Sequence, residues 1–276
     1  MALNGRKKVY IRLSILAAIT IVFALTTFLW NPFAVEKQSI YSSGIISLYV
    51  TQNITTMAVW VQTLLWILMI ILCSVLPYFL GSTNFAILIS RLCHNDDIRK
   101  YGSKNAGMTN MIRVYGKKDG ILTLVGDALK CSAAVFFGRF IGGESGAYLA
   151  ALFCILGHIA PAQYKFKGGK GVVAAAVAML CLDPISFLIS LVVFIAAVAI
   201  SRFVSMGSIF GAFVYPASVF YLAKFRGNTP QIIPMIFAIF VGLLVIFMHR
   251  ENIKRIYEGK ENKITFKKQK KDETKK

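Results

Sequence analysis

Acidic and metal-binding side chains are what this sequence has least of. It carries 12 Asp and Glu against 31 Lys and Arg, with only 3 His and 5 Cys among 276 residues. Cys73, Cys93, Cys131, Cys154 and Cys181 show no CxxC or metal-ligand spacing, and most lie in apolar runs. They read as small core or lipid-facing residues and exclude a cysteine-based metal or redox motif. Carboxylates are scarce beside the polar motifs, so no metal ion and no cofactor is called for. No internal repeat is present. A Gly-rich run ends at Lys170-Gly171, but position 164 is Tyr where a nucleotide-binding P-loop needs its first Gly, and Gly171 stands where that loop needs Ser or Thr. The pattern excludes a nucleotide hydrolase of that type.

What is abundant is apolar surface. Hydrophobic residues make up 57% of the chain and mean hydropathy is +0.64, more than one soluble core can hide. A membrane-spanning helix takes about 20 apolar residues. Apolar segments lie at 13–30, 58–80, 121–140, 147–163, 172–182, 185–201, 209–223 and 232–248. The sequence therefore predicts an all-α integral membrane protein of about eight transmembrane helices. The segment 172–182 covers only about 16 Å at the rise of a helix, so a tilted or re-entrant path is expected there.

Positive charge orients these helices, because Lys and Arg stay on the cytoplasmic side. The basic residues gather in 1–12, 91–118, 164–171, the turn at Arg202 and the tail 249–276, and only Lys37, Lys130, Arg139, Lys224 and Arg226 lie elsewhere. Both termini are expected in the cytoplasm. The net charge of +19 sits beside membrane segments and in the tail, which favours anionic lipid headgroups over nucleic acid as the partner. Three units follow: an extra anchor and external polar loop over 1–57, a membrane domain over 58–259, and a basic, disordered tail over 260–276. The first apolar segment ends in Asn31-Pro32 without a small-residue cleavage site, and reads as an uncleaved anchor.

Polar residues are costly in a membrane protein unless paired, wetted or functional, so they locate the chemistry. The run Asp97 to Asn110, followed by Arg113, combines two glycines with Ser103, Asn105, Thr109 and Asn110, a composition suited to cradling an anion. A Gly/Asn-rich turn capping a helix is the plainer alternative. Lys165-Phe166-Lys167-Gly168-Gly169-Lys170-Gly171 runs into an apolar helix, where free amides and the helix dipole favour phosphate. Its lysines also fit simple positive-inside anchoring. Arg202 to Ser208 reads as an interfacial turn. His249, Asn252 and Ile253 share one helical face at a membrane exit. Asp127 and Lys130, spaced i, i+3 inside an apolar segment, are expected to pair.

At these segments together the sequence resembles the bacterial acyl-phosphate:glycerol-3-phosphate acyltransferase family, PlsY, over residues 66–262. The resemblance rests on Gly81-Ser82, Asp97 to Asn110, Gly157-His158, Phe166 to Gly171, Ser205 to Ser208 and His249 to Arg255. It implies a seven-helix body and transfer of an acyl group from acyl phosphate to the sn-1 hydroxyl of glycerol 3-phosphate, in phospholipid biosynthesis. It also implies that Ser103, Asn105, Gly107, Thr109 and Asn110 hold the phosphate of acyl phosphate. Arg113, Lys170, Ser208, His249 and Asn252 would hold glycerol 3-phosphate, with Gly168 and Gly169 in the substrate-binding turn. Lys170, Arg113 and His249 are the groups it implies act on the reacting atoms. The family loop has Gly where this chain has Lys104, a change that stiffens the turn or forces a side chain to a strained φ. None of the three histidines begins the H-x4-D motif of other glycerolipid acyltransferases, since Arg99, Gln163 and Lys254 occupy the fifth position.

Two other classes fit part of the pattern. A transporter for a phosphorylated or other anionic metabolite would also place basic groups and an Asp/Lys pair among helices, but near the midplane. A lipid sensor without turnover would not need four separated polar motifs.

Overall fold

The computed structural model describes residues 44–263. The apolar segment 13–30 and the tail beyond residue 263 lie outside the described residues. Within them the apolar runs become helices and the polar motifs become the connections. The α-helices are α1 (Ile45–Gln52), α2 (Val59–Ser82), α3 (Phe85–His94), α4 (Met108–Tyr115), α5 (Lys117–Ile159), α6 (Val172–Leu182), α7 (Pro184–Ser201), α8 (Val204–Phe225), α9 (Ile232–Met248) and α10 (Arg250–Tyr257). Short 3-10 turns cover Ile98–Lys100 and Ala162–Tyr164, and there is no strand among the described residues.

The long helix α5 is not straight. Gly142 leaves helical geometry and Gly143 takes φ 63°, a value that glycine reaches without steric cost. Gly138 then lies so close to Gly146 that a Cβ on it would come within 2.3 Å of the Gly146 carbonyl oxygen. The chain thus folds back into antiparallel arms, 117–141 and 144–159, corresponding to the separate apolar segments 121–140 and 147–163. Among the described residues four helical stretches are long and apolar enough to cross a membrane, or five if α9 and α10, bent by 49°, are counted as one. One of the four contains the α5 reversal. Helix α6, with 11 residues, is shorter than a span, as its sequence predicts.

Burial runs in the order expected of a protein solvated by lipid. On α2, Trp60, Leu64, Ile67, Leu68 and Ile71 are exposed, whereas Cys73, Ser74, Gly81 and Ser82 are buried. Lipid tails give large apolar side chains no reason to turn inward, so small residues line the helix contacts. A Cβ on Gly81 would lie 2.1 Å from the carbonyl oxygen of Cys154, and one on Gly157 would lie 2.1 Å from that of Tyr78. These glycines let α2 and the second arm of α5 touch backbone to backbone. The main core joins both α5 arms to α6, α8 and α9 through Ala134, Val135, Ala151, Ala174, Tyr215 and Val241.

One expectation is corrected. Residues 31–57 read as a polar loop, yet Ile45–Gln52 form α1 and bury Val50. Gly44 packs against the α5 reversal, where a Cβ would meet the Gly143 nitrogen at 2.1 Å. The run Ile45 to Val50 is apolar enough to take a helix partner once the hairpin turn offers one.

Candidate active site

The first polar loop is built around Asn110. Its Oδ1 accepts from the Ser103 amide at 2.9 Å, and its Nδ2 lies 3.0 Å from the carbonyls of Tyr101 and Asn105. With its amide N–H groups engaged by loop carbonyls and 1% exposure, Asn110 organises the loop. Its amide donors here serve the loop rather than a phosphate. Ser103, Asn105 and Gly107 are half-buried and Thr109 is exposed at the first turn of α4, so these four remain on the open side of the loop. Lys104 takes φ 57°, a left-handed position that favours glycine. The loop is anchored from below by Asn84, whose Nδ2 donates to the Ala106 carbonyl at 3.2 Å and whose Oδ1 caps α3 through the Ile87 amide.

Arg99 ties this loop to the next. Its Nη1 donates to the carbonyls of Tyr164 at 3.1 Å and Lys167 at 2.9 Å, while Asp97 holds the guanidinium through Nε at 2.9 Å and Nη2 at 2.7 Å. The hydrogen bond from Arg99 brings the Asp97 carboxyl down to about 2.

In the second loop Gly168 and Gly169 do not offer free amides. They donate to the carbonyls of Ile159 at 3.0 Å and His158 at 3.1 Å. Their lack of side chains serves close packing, because a Cβ on either would lie within 2.2 Å of His158. The Gly168 and Gly169 amides thus close a tightly seated turn that presents Lys170.

Lys170 reaches the α9–α10 hinge and hydrogen-bonds Asn252 Oδ1. Asn252 Nδ2 in turn donates to Glu261 Oε1 at 2.6 Å, Ser205 Oγ donates to the same oxygen at 2.9 Å, and Arg255 Nε donates to Glu261 Oε2 at 2.8 Å. Arg113, one turn along α4 from Asn110, feels the charges of Glu261 and Arg255, and burial lowers its pKa. Burial, followed by the charge of Arg255, brings Lys170 down to about 8. His249 sits at the hinge, where burial and then the nearby positive charge of Lys170 hold it at about 4. Its Nδ1 donates to the Val245 carbonyl at 2.7 Å, so Nε2 keeps its lone pair. Ser208 is buried, with its hydroxyl donating to the Val204 carbonyl at 3.1 Å, one turn beyond Ser205 on the same helix face.

Arg113, Lys170, His249 and Asn252, from three distant stretches of sequence, thus meet in one cationic cluster. A family model described as "Glycerol-3-phosphate acyltransferase" matches residues 71–259, which contain all four. The chain belongs to the glycerol-3-phosphate acyltransferase family. Glycerol-3-phosphate acyltransferase of Finegoldia magna is 38% identical over 197 residues, covering 71% of this chain and 97% of the relative. The enzyme of Exiguobacterium sibiricum is 41% identical over 201 residues, covering 72% and 95%. Among solved structures, PlsY, described as an integral membrane glycerol 3-phosphate acyltransferase, matches in its glycerol 3-phosphate form with a TM-score of 0.63 and 32% identity, over 71% of this chain and 96% of that one. Its lysophosphatidic acid form matches with a TM-score of 0.60 and 30% identity, over 72% and 95%.

Sequence reasoning missed Glu261, Arg255 and Ser205 as members of this cluster. Glu261 falls two residues past the family match, in the stretch expected to be a disordered tail from residue 260, yet its side chain is only 7% exposed. Residues 260–263 are described, and within them this carboxylate is held by three side chains. Burial works to raise its pKa, but the bonds from Asn252, Arg255 and Ser205 bring it below the ordinary value.

Proposed function

We propose that this chain transfers a fatty acyl group from acyl phosphate to the sn-1 hydroxyl of glycerol 3-phosphate, giving lysophosphatidic acid and phosphate. The observation that carries the reading is the convergence of Lys170, Arg113, His249 and Asn252 at one hinge, in a chain of this family. In the proposal these four, with Ser208, receive the phosphate of glycerol 3-phosphate. Ser103, Asn105, Gly107 and Thr109 face the acyl phosphate. Arg113 lies on the same short helix as Thr109 and stands between the two anions.

The hydroxyl oxygen of glycerol 3-phosphate attacks the acyl carbon. An ester C–O bond forms, the C–O bond to phosphate breaks, and the departing phosphate takes the electron pair. The hydroxyl proton passes to a phosphate oxygen. His249 has a free lone pair but, at about 4, is a weaker base than a phosphate monoester with its second pKa of about 6. It is assigned to binding. Acyl phosphate is already activated, so catalysis consists of aligning two anions and offsetting their charge.

The proposal takes eight spans, with both termini and the site on the cytoplasmic side. It is supported by the basic loops and by the position of every site residue in a connection or at a helix end. Membrane lipids surround the helices and receive the product. Labelled glycerol 3-phosphate offered with acyl phosphate, acyl-CoA or acyl carrier protein tests the reaction. Lysophosphatidate formed with acyl phosphate alone is expected, and Arg113→Ala should lose on the order of a hundredfold in kcat/KM. Counterflow of glycerol 3-phosphate in liposomes, with no acyl transfer by folded protein, would establish a transporter instead.

A further inference from the structure

One cluster of buried charge is left unused by the proposed chemistry, and it lies beneath both loops. Asp127 and Lys130 pair at 2.8 Å with side chains 2% exposed. From the opposite arm of α5, His158 brings Nδ1 to 3.0 Å from Lys130 Nζ and 3.5 Å from Asp127 Oδ1. Lys130 also donates to the carbonyl of Thr83, at the end of α2, at 2.8 Å. A lysine ammonium has three N–H groups and no lone pair, so its contact makes His158 Nδ1 the acceptor and leaves the ring proton on Nε2. Apolar packing of the same volume commonly stabilises a fold as well as a buried ion pair does. Stability alone therefore gives the pair no purpose.

The other edge of the His158 ring supplies one. A Cβ on Gly169 would lie 2.2 Å from His158 Nε2 and 2.8 Å from the Ala106 carbonyl of the first loop. The Gly169 amide also donates to the carbonyl of His158 at 3.1 Å. At Gly169, beside Lys170, the turn thus rests on this histidine, ring and backbone together, while Arg99 and the Ile159 carbonyl hold it further upstream. We infer that Asp127, Lys130 and His158 are positioning residues for acyl transfer. The ion pair holds the ring in one tautomer and orientation, and the ring sets where Gly169, and with it the Lys170 ammonium, stands. This inference rests on the reading of Lys170 as a ligand of glycerol 3-phosphate. The first loop depends less on the cluster, because Asn84 holds the Ala106 carbonyl independently at 3.2 Å.

Two substitutions of His158 in the full-length protein separate positioning from plain support. His158→Asn keeps an acceptor near the place of Nδ1 for Lys130 but removes the edge that Gly169 rests on. His158→Gln reaches toward the place of Nε2 but takes the acceptor away from Lys130. The expected result is a crossed pattern. His158→Asn is the more heat-stable of the two yet shows the larger rise in KM for glycerol 3-phosphate, on the order of tenfold or more, with a much smaller change in KM for acyl phosphate. Values of KM that follow stability, or that rise equally for both substrates, would overturn the inference. Should neither variant fold, Asp127→Asn combined with Lys130→Met removes both charges. It is expected to match wild-type stability while KM for glycerol 3-phosphate stays raised, and an unchanged KM would reject the role. Lys170→Ala is the control. If it leaves KM for glycerol 3-phosphate unchanged, the site reading itself fails, whereas a raised KM there beside unchanged KM in the cluster variants rejects only the positioning role.

Discussion

Replacing Glu261 separates two views of a carboxylate inside an anion site. One makes it an occupant that substrate phosphate must displace, and the other makes it the piece that keeps the surrounding groups in order. The contacts favour the second. Glu261→Gln retains an acceptor for Ser205 and Asn252 and loses the charge-assisted bond to Arg255, a side chain 31% exposed. A hydrogen bond to a charged group contributes about 1.5–3 kcal/mol, and solvent screening brings this one down to about 1 kcal/mol. Glu261→Ala removes all three bonds and leaves the Asn252 amide and the Arg255 guanidinium without their partner, at a cost of about 3–5 kcal/mol. Loss of the charge also acts at a distance, because Glu261 raises the pKa of Lys170. Thermal unfolding in detergent, with glycerol 3-phosphate kinetics across pH, measures both effects. Glu261→Ala should give little folded protein. Glu261→Gln should remain folded, with a higher KM and a basic limb that begins at lower pH. A Glu261→Gln enzyme that binds glycerol 3-phosphate more tightly than wild type would refute the reasoning and make Glu261 a competing occupant.

Lys170 sets the basic limb in the wild-type protein. Its folded-state pKa is about 8, so it is charged below that value, and kcat/KM for glycerol 3-phosphate should be level near neutrality and fall roughly tenfold per unit as pH rises through it. Lys170→Arg should move the limb upward, because a guanidinium does not deprotonate in this range; a limb unmoved by Lys170→Arg would assign it to another group. Gly157→Ala should lower thermal stability by about 1–3 kcal/mol, since its Cβ would meet the Tyr78 carbonyl oxygen at 2.1 Å. An unchanged melting temperature would mean that α2 and α5 do not depend on that approach.

Much of the fold was legible because lipid-facing helices announce themselves by long apolar runs. The segments 58–80, 185–201 and 232–248 lie within a residue or two of α2, α7 and α9. Helix α1 was not legible, because eight residues of mixed polarity become helical only against the α5 reversal. The pairing of Asp127 with Lys130 followed from i, i+3 spacing, but their partner His158 did not, since it depends on how the hairpin arms register. In the same way composition located Gly168, Gly169 and Asn110 but not the hydrogen bonds they make within the loops. Glycine is needed equally where an amide must approach a phosphate and where a turn must approach a histidine ring. Only the hydrogen-bond partners distinguish the two. Similarly, an asparagine in a polar loop is as able to hold the loop as to hold a ligand, and Asn110 turns its amide N–H groups to the loop carbonyls.

The charge balance of the hinge explains why a carboxylate belongs there. Two unit charges of like sign about 6 Å apart repel by roughly 3 kcal/mol at an effective dielectric constant of about 20, and two phosphates multiply that figure. Several cations are needed at once. Arg113, Lys170 and Arg255, gathered without an anion, would repel one another, and burial already lowers Arg113 and Lys170. Glu261 spends its charge on Arg255, a side chain 31% exposed, and raises the pKa of both Arg113 and Lys170. It also turns the Asn252 amide so that the oxygen faces Lys170. The carboxylate therefore helps Arg113 and Lys170 stay charged, as the proposed binding of two phosphates requires.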